Sequence, residues 1–359
     1  MKLRFTTIRS PLYDSFFFVF PFWVTAVYAL LVRSFPMHEA AVFLLLNIAL
    51  GESHFASTWM IYLDPQNRAY YAGRKWAFYY VPVFILTACV LLAYGFGLGP
   101  LAFVASVVSA VHVTRQSTGI AALYRGKSGN RDERQRFFDN YAVYFGSAFF
   151  LGVGFIRFYL GGEPGGLLTP LLATSAGAWL RAGAYGATTL AGALCAGFTL
   201  RSLIGEAKRA RGGEPLSVSR LVVLLYSILL YSPYAFATRI EHANAMGVGI
   251  HYVQYLGIVW LLNGNKYPLV AGVADPGLAV LANLSQRRLV RVGYFGIYGA
   301  IVLALRQNGF NFDQFTPQSW LYGIPIGFQV CHYHVEAFIW KFSNPFIRES
   351  VLKYLQKPA

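Results

Sequence analysis

The stretch "PLAFVASVVSAVHVTRQSTGIAALY", residues 100–124, contains one charged side chain, Arg115. A helix rising 1.5 Å per residue needs roughly 20 apolar residues to cross a hydrocarbon core of about 30 Å, so this run is long enough to span a bilayer. Its middle is nevertheless polar, with His112, Arg115 and Gln116 close together. Placing a charged residue there costs roughly 2.5–3.5 kcal/mol even on the lenient insertion scale. The run therefore predicts a membrane span that carries a polar group for a reason.

The rest of the chain has the same pattern. Of 359 residues, 56% are hydrophobic and 13% charged, where a soluble domain carries about 25% charged. Ten apolar runs are expected to be helical spans: 13–32, 38–63, 76–96, 100–124, 138–160, 183–204, 217–237, 241–263, 289–306 and 318–341. Basic residues alternate with them. Arg68, Arg74 and Lys75 separate the second and third runs; Arg125, Lys127, Arg131, Arg134 and Arg136 the fourth and fifth; Lys266, Arg287 and Arg288 the eighth and ninth. Lys2, Arg4 and Arg9 precede the first run, Lys208, Arg209 and Arg211 come after the sixth, and Arg348, Lys353 and Lys357 after the last. The intervening loops, such as "GFGLGP" and "RQNGFNFDQFTPQ", are nearly bare. By the positive-inside rule this predicts five hairpins with both termini cytoplasmic, in a bacterial inner membrane. The opening "MKLRFTTIRSPLYDSFFFVFPFW" has no small-residue cleavage site and is expected to be a retained span.

The expected fold is thus all-α, one polytopic membrane domain over 1–359 with no separate soluble domain. Residues 161–179, Gly-rich at first, are expected to form an outer-side loop. Asp275 and Pro276 should open a short surface helix. Residues 343–359, starting from Ser343, should form an interfacial helix, with Phe346, Ile347, Val351 and Leu355 opposing Lys353 and Lys357. The net charge of +15 suits basic cytoplasmic loops. With no basic patch it does not indicate nucleic acid. Cys89, Cys195 and Cys331 lie singly in apolar runs and fit no disulfide framework, zinc site or redox pair.

Two of seven histidines, His38 and His242, fall at the outer ends of spans and are expected to be wet. The others lie within spans. Counting back from the inner ends, His54 and His332 stand nine residues in, and His112 and His251 twelve. The offsets differ by about 5 Å in depth. All four runs point the same way, so four helices are expected to bring one imidazole each to one level. His334, two residues from His332, stands about 200° round the helix. It is retained as a candidate ligand beside His332, which has the better depth. Glu52, Arg115, Gln116, Gln254 and Glu336 accompany them. Residues three and four apart share a helix face, so Arg115 and Gln116 are expected to point inward with His112, as Gln254 does with His251. Each histidine alone is more often a hydrogen-bonded helix contact than a ligand. A common level favours a metal site.

Imidazole suits iron, copper, zinc and nickel. Ferrous iron would serve dioxygen chemistry; zinc with three histidines and a water would serve hydrolysis. A carboxylate or amide among Glu52, Gln116, Gln254 and Glu336 is expected to accept the second ring N–H of a ligand. The histidine-box clusters of di-iron desaturases and the HExxH of membrane zinc proteases are absent. One level of histidines leaves room for at most one or two haems.

The segments "ESHF" at His54, "VHVTRQ" at His112, "GIHYVQY" at His251 and "CHYHVEAFIW" at His332 give the chain a resemblance to the Brp/Blh-type membrane carotene dioxygenases. It departs from them in its length and in its HxH pair. The resemblance implies four-histidine non-haem iron and dioxygen acting on a long, lipid-soluble isoprenoid. Two other readings stand beside it: a secondary transporter with an intramembrane His/Arg/Gln path, and a haem-binding electron-transfer protein.

Overall fold

The computed structural model describes residues 2–130, 132–161, 169–270, 274–307 and 319–355. They are almost wholly helical. The strand content among them is a two-residue parallel pairing of β1 (Leu3–Arg4) with β2 (Leu216–Ser217). The principal helices are α1 (Pro11–Val19), α2 (Trp23–Ser34), α3 (Pro36–Leu63), α4 (Pro65–Ala72), α5 (Trp76–Phe96), α6 (Leu98–Lys127) and α7 (Glu133–Leu160). They continue with α8 (Ser175–Arg211), α9 (Val218–Leu229), α10 (Ile240–Lys266), α11 (Pro276–Gln286), α12 (Arg288–Gln307), α13 (Ser319–Ile339) and a C-terminal α14 over residues 345–355.

Among the described residues, seven helices are long and apolar enough to cross a membrane, and eight if α1 and α2, bent by 60° at their junction, count as one span. These account for eight of the ten expected runs. The run 217–237 yields only the 12 residues of α9, because Pro233 opens a tight turn at Ser232–Ala235. Arg157 stabilises that break, donating to the Tyr234 and Ala237 carbonyls at 2.8 and 3.0 Å. The last run forms α13, 21 residues long, whose Gln329, His332, His334 and Glu336 dilute its apolar character. Residues 308–318 of the expected loop 306–318, and residues 162–168 of the expected loop 161–179, lie outside the described residues. The described part of that second loop is instead largely helical, with a short turn at Thr169–Leu172 and then α8, capped by Thr174, from Ser175.

The described chain divides into two compact units. The first comprises Met1–Phe43 and Val113–Val253. Its N-terminus is tied down by Asp14, fully buried, which accepts from the Ile8 and Arg9 amides and the Tyr124 hydroxyl at 2.5, 3.0 and 2.5 Å. Buried Arg220 on α9 bridges Asp139 of α7 and Glu206 of α8, each at 2.6 Å. Asp139 also accepts from Ser202 at 2.6 Å. Charged groups removed from water persist only when paired and hydrogen-bonded, and this one guanidinium ties three helices together. His242, expected to be wet, is buried: the Tyr28 hydroxyl lies 2.7 Å from its Nδ1 and Glu39 3.4 Å from its Nε2. An acceptor and a donor at the helix end allow the ring to leave water.

The second unit comprises Leu44–His112 and Gln254–Ala359. Its tightest packing is α13 against α5. A Cβ at Gly323 would lie 2.8 Å from the Cys89 carbonyl and from Val90 Cα, and one at Gly327 2.7 Å from Leu86. The two glycines, four residues apart, let the backbones touch, as small residues do in lipid-embedded helices. Tyr71, Phe78, Val335 and Ile339 form a core cluster beside this seam. Asp64 caps α4, accepting from the Gln66 and Asn67 amides, and takes Lys266 and the Tyr267 hydroxyl at 2.7 Å each. Burial pushes the Asp64 carboxyl up, but Lys266, Tyr267 and the Gln66 amide together hold it below the usual carboxylate range.

Asp275 caps α11 and pairs with Arg68 at 2.7 Å. In α14 the cap is Asn344 and not Ser343, because Pro345 occupies the first helical position. Its Ile347, Ser350 and Leu355 are buried, and Phe346 stacks on Tyr70 at 3.8 Å.

Candidate metal centre

Three helices of the second unit each contribute one histidine. His54 lies on α3 directly after a π-helical turn, Asn47–Glu52. Such turns insert a residue into the helix and re-aim the side chains beyond it, often at functional sites. His112 is carried by α6 and His332 by α13. The three residues are 0%, 8% and 0% exposed, so all are withdrawn from the surface. One nitrogen from each lies within 4.8 Å of the others, and His54 Nε2 is 2.9 Å from His332 Nε2.

The arrangement is held from behind. Thr58 lies one turn after His54 on α3, and its hydroxyl is 2.7 Å from His332 Nδ1 and 2.8 Å from Glu336 Oε1. A carboxylate can only accept, so the Thr58 proton goes to Glu336 and the Thr58 oxygen receives the His332 Nδ1–H. This assigns the tautomer from the network: His332 presents the Nε2 lone pair toward His54. Glu336, one turn after His332, also accepts from Tyr255 and Trp340. Three donors compensate a carboxylate that is 2% exposed. The Tyr255 ring lies edge-on to His54, centroids 4.1 Å apart, and Phe55 and Tyr333 pack on His332 and His112 at 5.1 and 4.6 Å.

Two imidazole nitrogens cannot share 2.9 Å with both lone pairs facing. Either a proton or a cation must lie between them. A separation of 2.9 Å is that of an N–H···N hydrogen bond, and three neutral imidazole donors suit a first-row transition ion in place of that proton.

No other expected metal ligand belongs to that group among the described residues. Glu52 and Gln254 are buried in the same unit as the three histidines. His334 turns to α5, donating from Nε2 to the Ala77 carbonyl at 2.8 Å, as its 200° offset from His332 requires. His251, also buried, belongs to the first unit and is not in the three-histidine group. Arg115 is exposed and Gln116 half-buried, both in the first unit. Arg115 does not point inward with His112: three residues leave it about 60° off, enough to take it out of the buried face.

Thr58, Tyr255 and Trp340 were not among the expected site residues. Each stands four positions after one that was, namely His54, His251 and Glu336, and that spacing places both on one helix face. No family model, no curated protein and no solved structure matches this chain.

Proposed function

We propose that this chain is an integral membrane protein holding a transition metal at His54, His112 and His332, and that the ion is non-haem iron serving oxygen-dependent chemistry on a hydrophobic, isoprenoid- or lipid-like substrate. The observation that carries this reading is the convergence of three buried imidazoles from three helices. Burying three polar rings where one could pack a core with leucine is costly, and a shared ion repays it. Three neutral imidazoles with no thiolate form a donor set that suits ferrous iron.

Ferrous iron would supply the redox centre that dioxygen needs; the protein's own groups do the rest. Thr58 and Glu336 hold His332 with Nε2 directed at the ion. Phe55 and Tyr333 pack aromatic rings on His332, which suits an apolar substrate and dioxygen, both soluble in lipid. The resemblance to the Brp/Blh-type carotene dioxygenases points the same way. The topology proposed with it has ten membrane crossings in five hairpins, with α9 and α13 as the two short or polar crossings and both termini cytoplasmic.

Elemental analysis of detergent-purified protein tests this. Stoichiometric iron is expected in the wild type, lost on His54→Ala, His112→Ala or His332→Ala and retained on His334→Ala. Zinc in its place would redirect the reading to hydrolysis. No metal would overturn it in favour of a transporter, for which the 60° break between α1 and α2 offers a discontinuous span. A haem absorption band would favour electron transfer.

A further inference from the structure

A cavity of about 40 Å³ adjoins the Glu336 network within the second unit, and both Tyr255 and Trp340 line it. Its other polar walls are Ser57, Asn67, Asn263, Lys266 and Ser350, set among apolar side chains of α3, α10, α13 and α14. A water requires roughly 10–15 Å³ of such space, so the cavity accepts two to four waters and no organic substrate. Its polar groups want partners. Ser350 is 1% exposed, and its hydroxyl has no hydrogen-bond partner among the described residues. The Lys266 ammonium donates to Asp64 at 2.7 Å and has two further N–H groups. Asn67 gives one amide N–H to the Ile61 carbonyl at 3.1 Å. A dry cavity is lined by apolar groups; one with several convergent donors and acceptors is wet.

We propose that this cavity is an internal water site, a short chain of ordered waters running from the Lys266–Asp64 ion pair to Tyr255 and Trp340, through which the buried histidine centre meets solvent. Tyr255 and Trp340 hold Glu336, Glu336 holds Thr58, and Thr58 holds His332 Nδ1. Every link from the cavity to the imidazole is a hydrogen bond. The Phe55 and Tyr333 rings pack on His332, and the hydrogen-bonded route from the cavity reaches it through Thr58 at Nδ1, not at the Nε2 that faces His54. The inference rests on the cavity and its lining, and holds with or without a bound metal.

X-ray radiolytic footprinting of the full-length protein in detergent, in H₂¹⁸O, tests it without reference to activity or metal. Hydroxyl radicals formed from internal water label the side chains beside it, buried or not. Met60, Tyr71 and Tyr255 line the cavity at 4%, 1% and 4% exposure and are expected to take up ¹⁸O. Phe78, equally buried at 2% and not in the lining, is expected to stay unlabelled. Ser350→Val, which fills the space, should reduce labelling of the three by roughly tenfold by displacing the waters. Exposed Tyr94 should be unchanged. Asn263→Leu, at a half-buried wall position, should act in the same direction and serves if the first variant does not fold. Labelling of Met60, Tyr71 and Tyr255 no greater than that of Phe78, or undiminished in the folded variants, would overturn the proposal.

Discussion

Thr58→Val removes one hydroxyl and keeps the shape of the side chain, so it isolates what that hydroxyl does. In the wild type it accepts from His332 Nδ1 at 2.7 Å and donates to Glu336 at 2.8 Å, with Tyr255 at 2.9 Å. After substitution His332 Nδ1 faces a methyl group, and the nearest Glu336 oxygen is 3.9 Å away, beyond hydrogen-bond reach. An unsatisfied buried N–H costs about 1–3 kcal/mol. Glu336 keeps Tyr255 and Trp340, so the carboxylate itself is not stranded. The ring can escape the penalty by moving its proton to Nε2, but that tautomer cannot bind a metal there. Removal of such an outer partner lowers metal affinity about 10–100-fold, or roughly 1.4–2.7 kcal/mol. Isothermal titration of purified protein with Co²⁺ measures it, with Thr58→Ser as the control that retains the hydroxyl. An affinity unchanged in Thr58→Val, or lowered equally in Thr58→Ser, would refute the assignment of Thr58 as the group that positions His332.

The packing and the buried charges set three further outcomes. Gly323→Leu should force α13 away from α5 and lower stability by about 1–3 kcal/mol, seen as a reduced melting temperature in detergent; no change would mean the two backbones do not touch. Arg220→Met takes the guanidinium from Asp139, which keeps the neutral donors Ser202 and Gln135, while Glu206 keeps Arg209, and should cost about 3–5 kcal/mol. Arg220→Lys should rescue little, since a point charge cannot fork to two carboxylates. Asp64 has a folded pKa held below its unfolded value of about 3.9, so its stabilisation is fully present above that value and is lost as pH falls through the folded one. The melting-temperature gap between wild type and Asp64→Asn should therefore be widest near neutral pH and shrink below about pH 4; a gap that widens with acid would contradict the pairing with Lys266.

Much of the helical plan was legible from local chemistry. Runs of 20 apolar residues must satisfy their backbone groups internally, so they become helices wherever they lie. Asp275–Pro276 announces a capped helix start by its own side chain and ring. The depth of a histidine on its helix also comes from counting, and this is why His54, His112, His251 and His332 were singled out together; the three-histidine group leaves out His251, which counting could not tell from His112. Other features depended on neighbours distant in sequence. The break after α9 is stabilised by Arg157, some 77 residues earlier, and the buried His332 and Glu336 of α13 are satisfied by Thr58 and Tyr255 from other helices. Arg115 and His112 share a helix and a level, but burial of one and exposure of the other depend on which face is covered by other helices. Helical periodicity gives each side chain a direction relative to its own axis, and only packing decides what lies in that direction. For the same reason the sequence could nominate His332 and His334 alike. The structure separates them: one meets His54 and Thr58, the other a backbone carbonyl of α5.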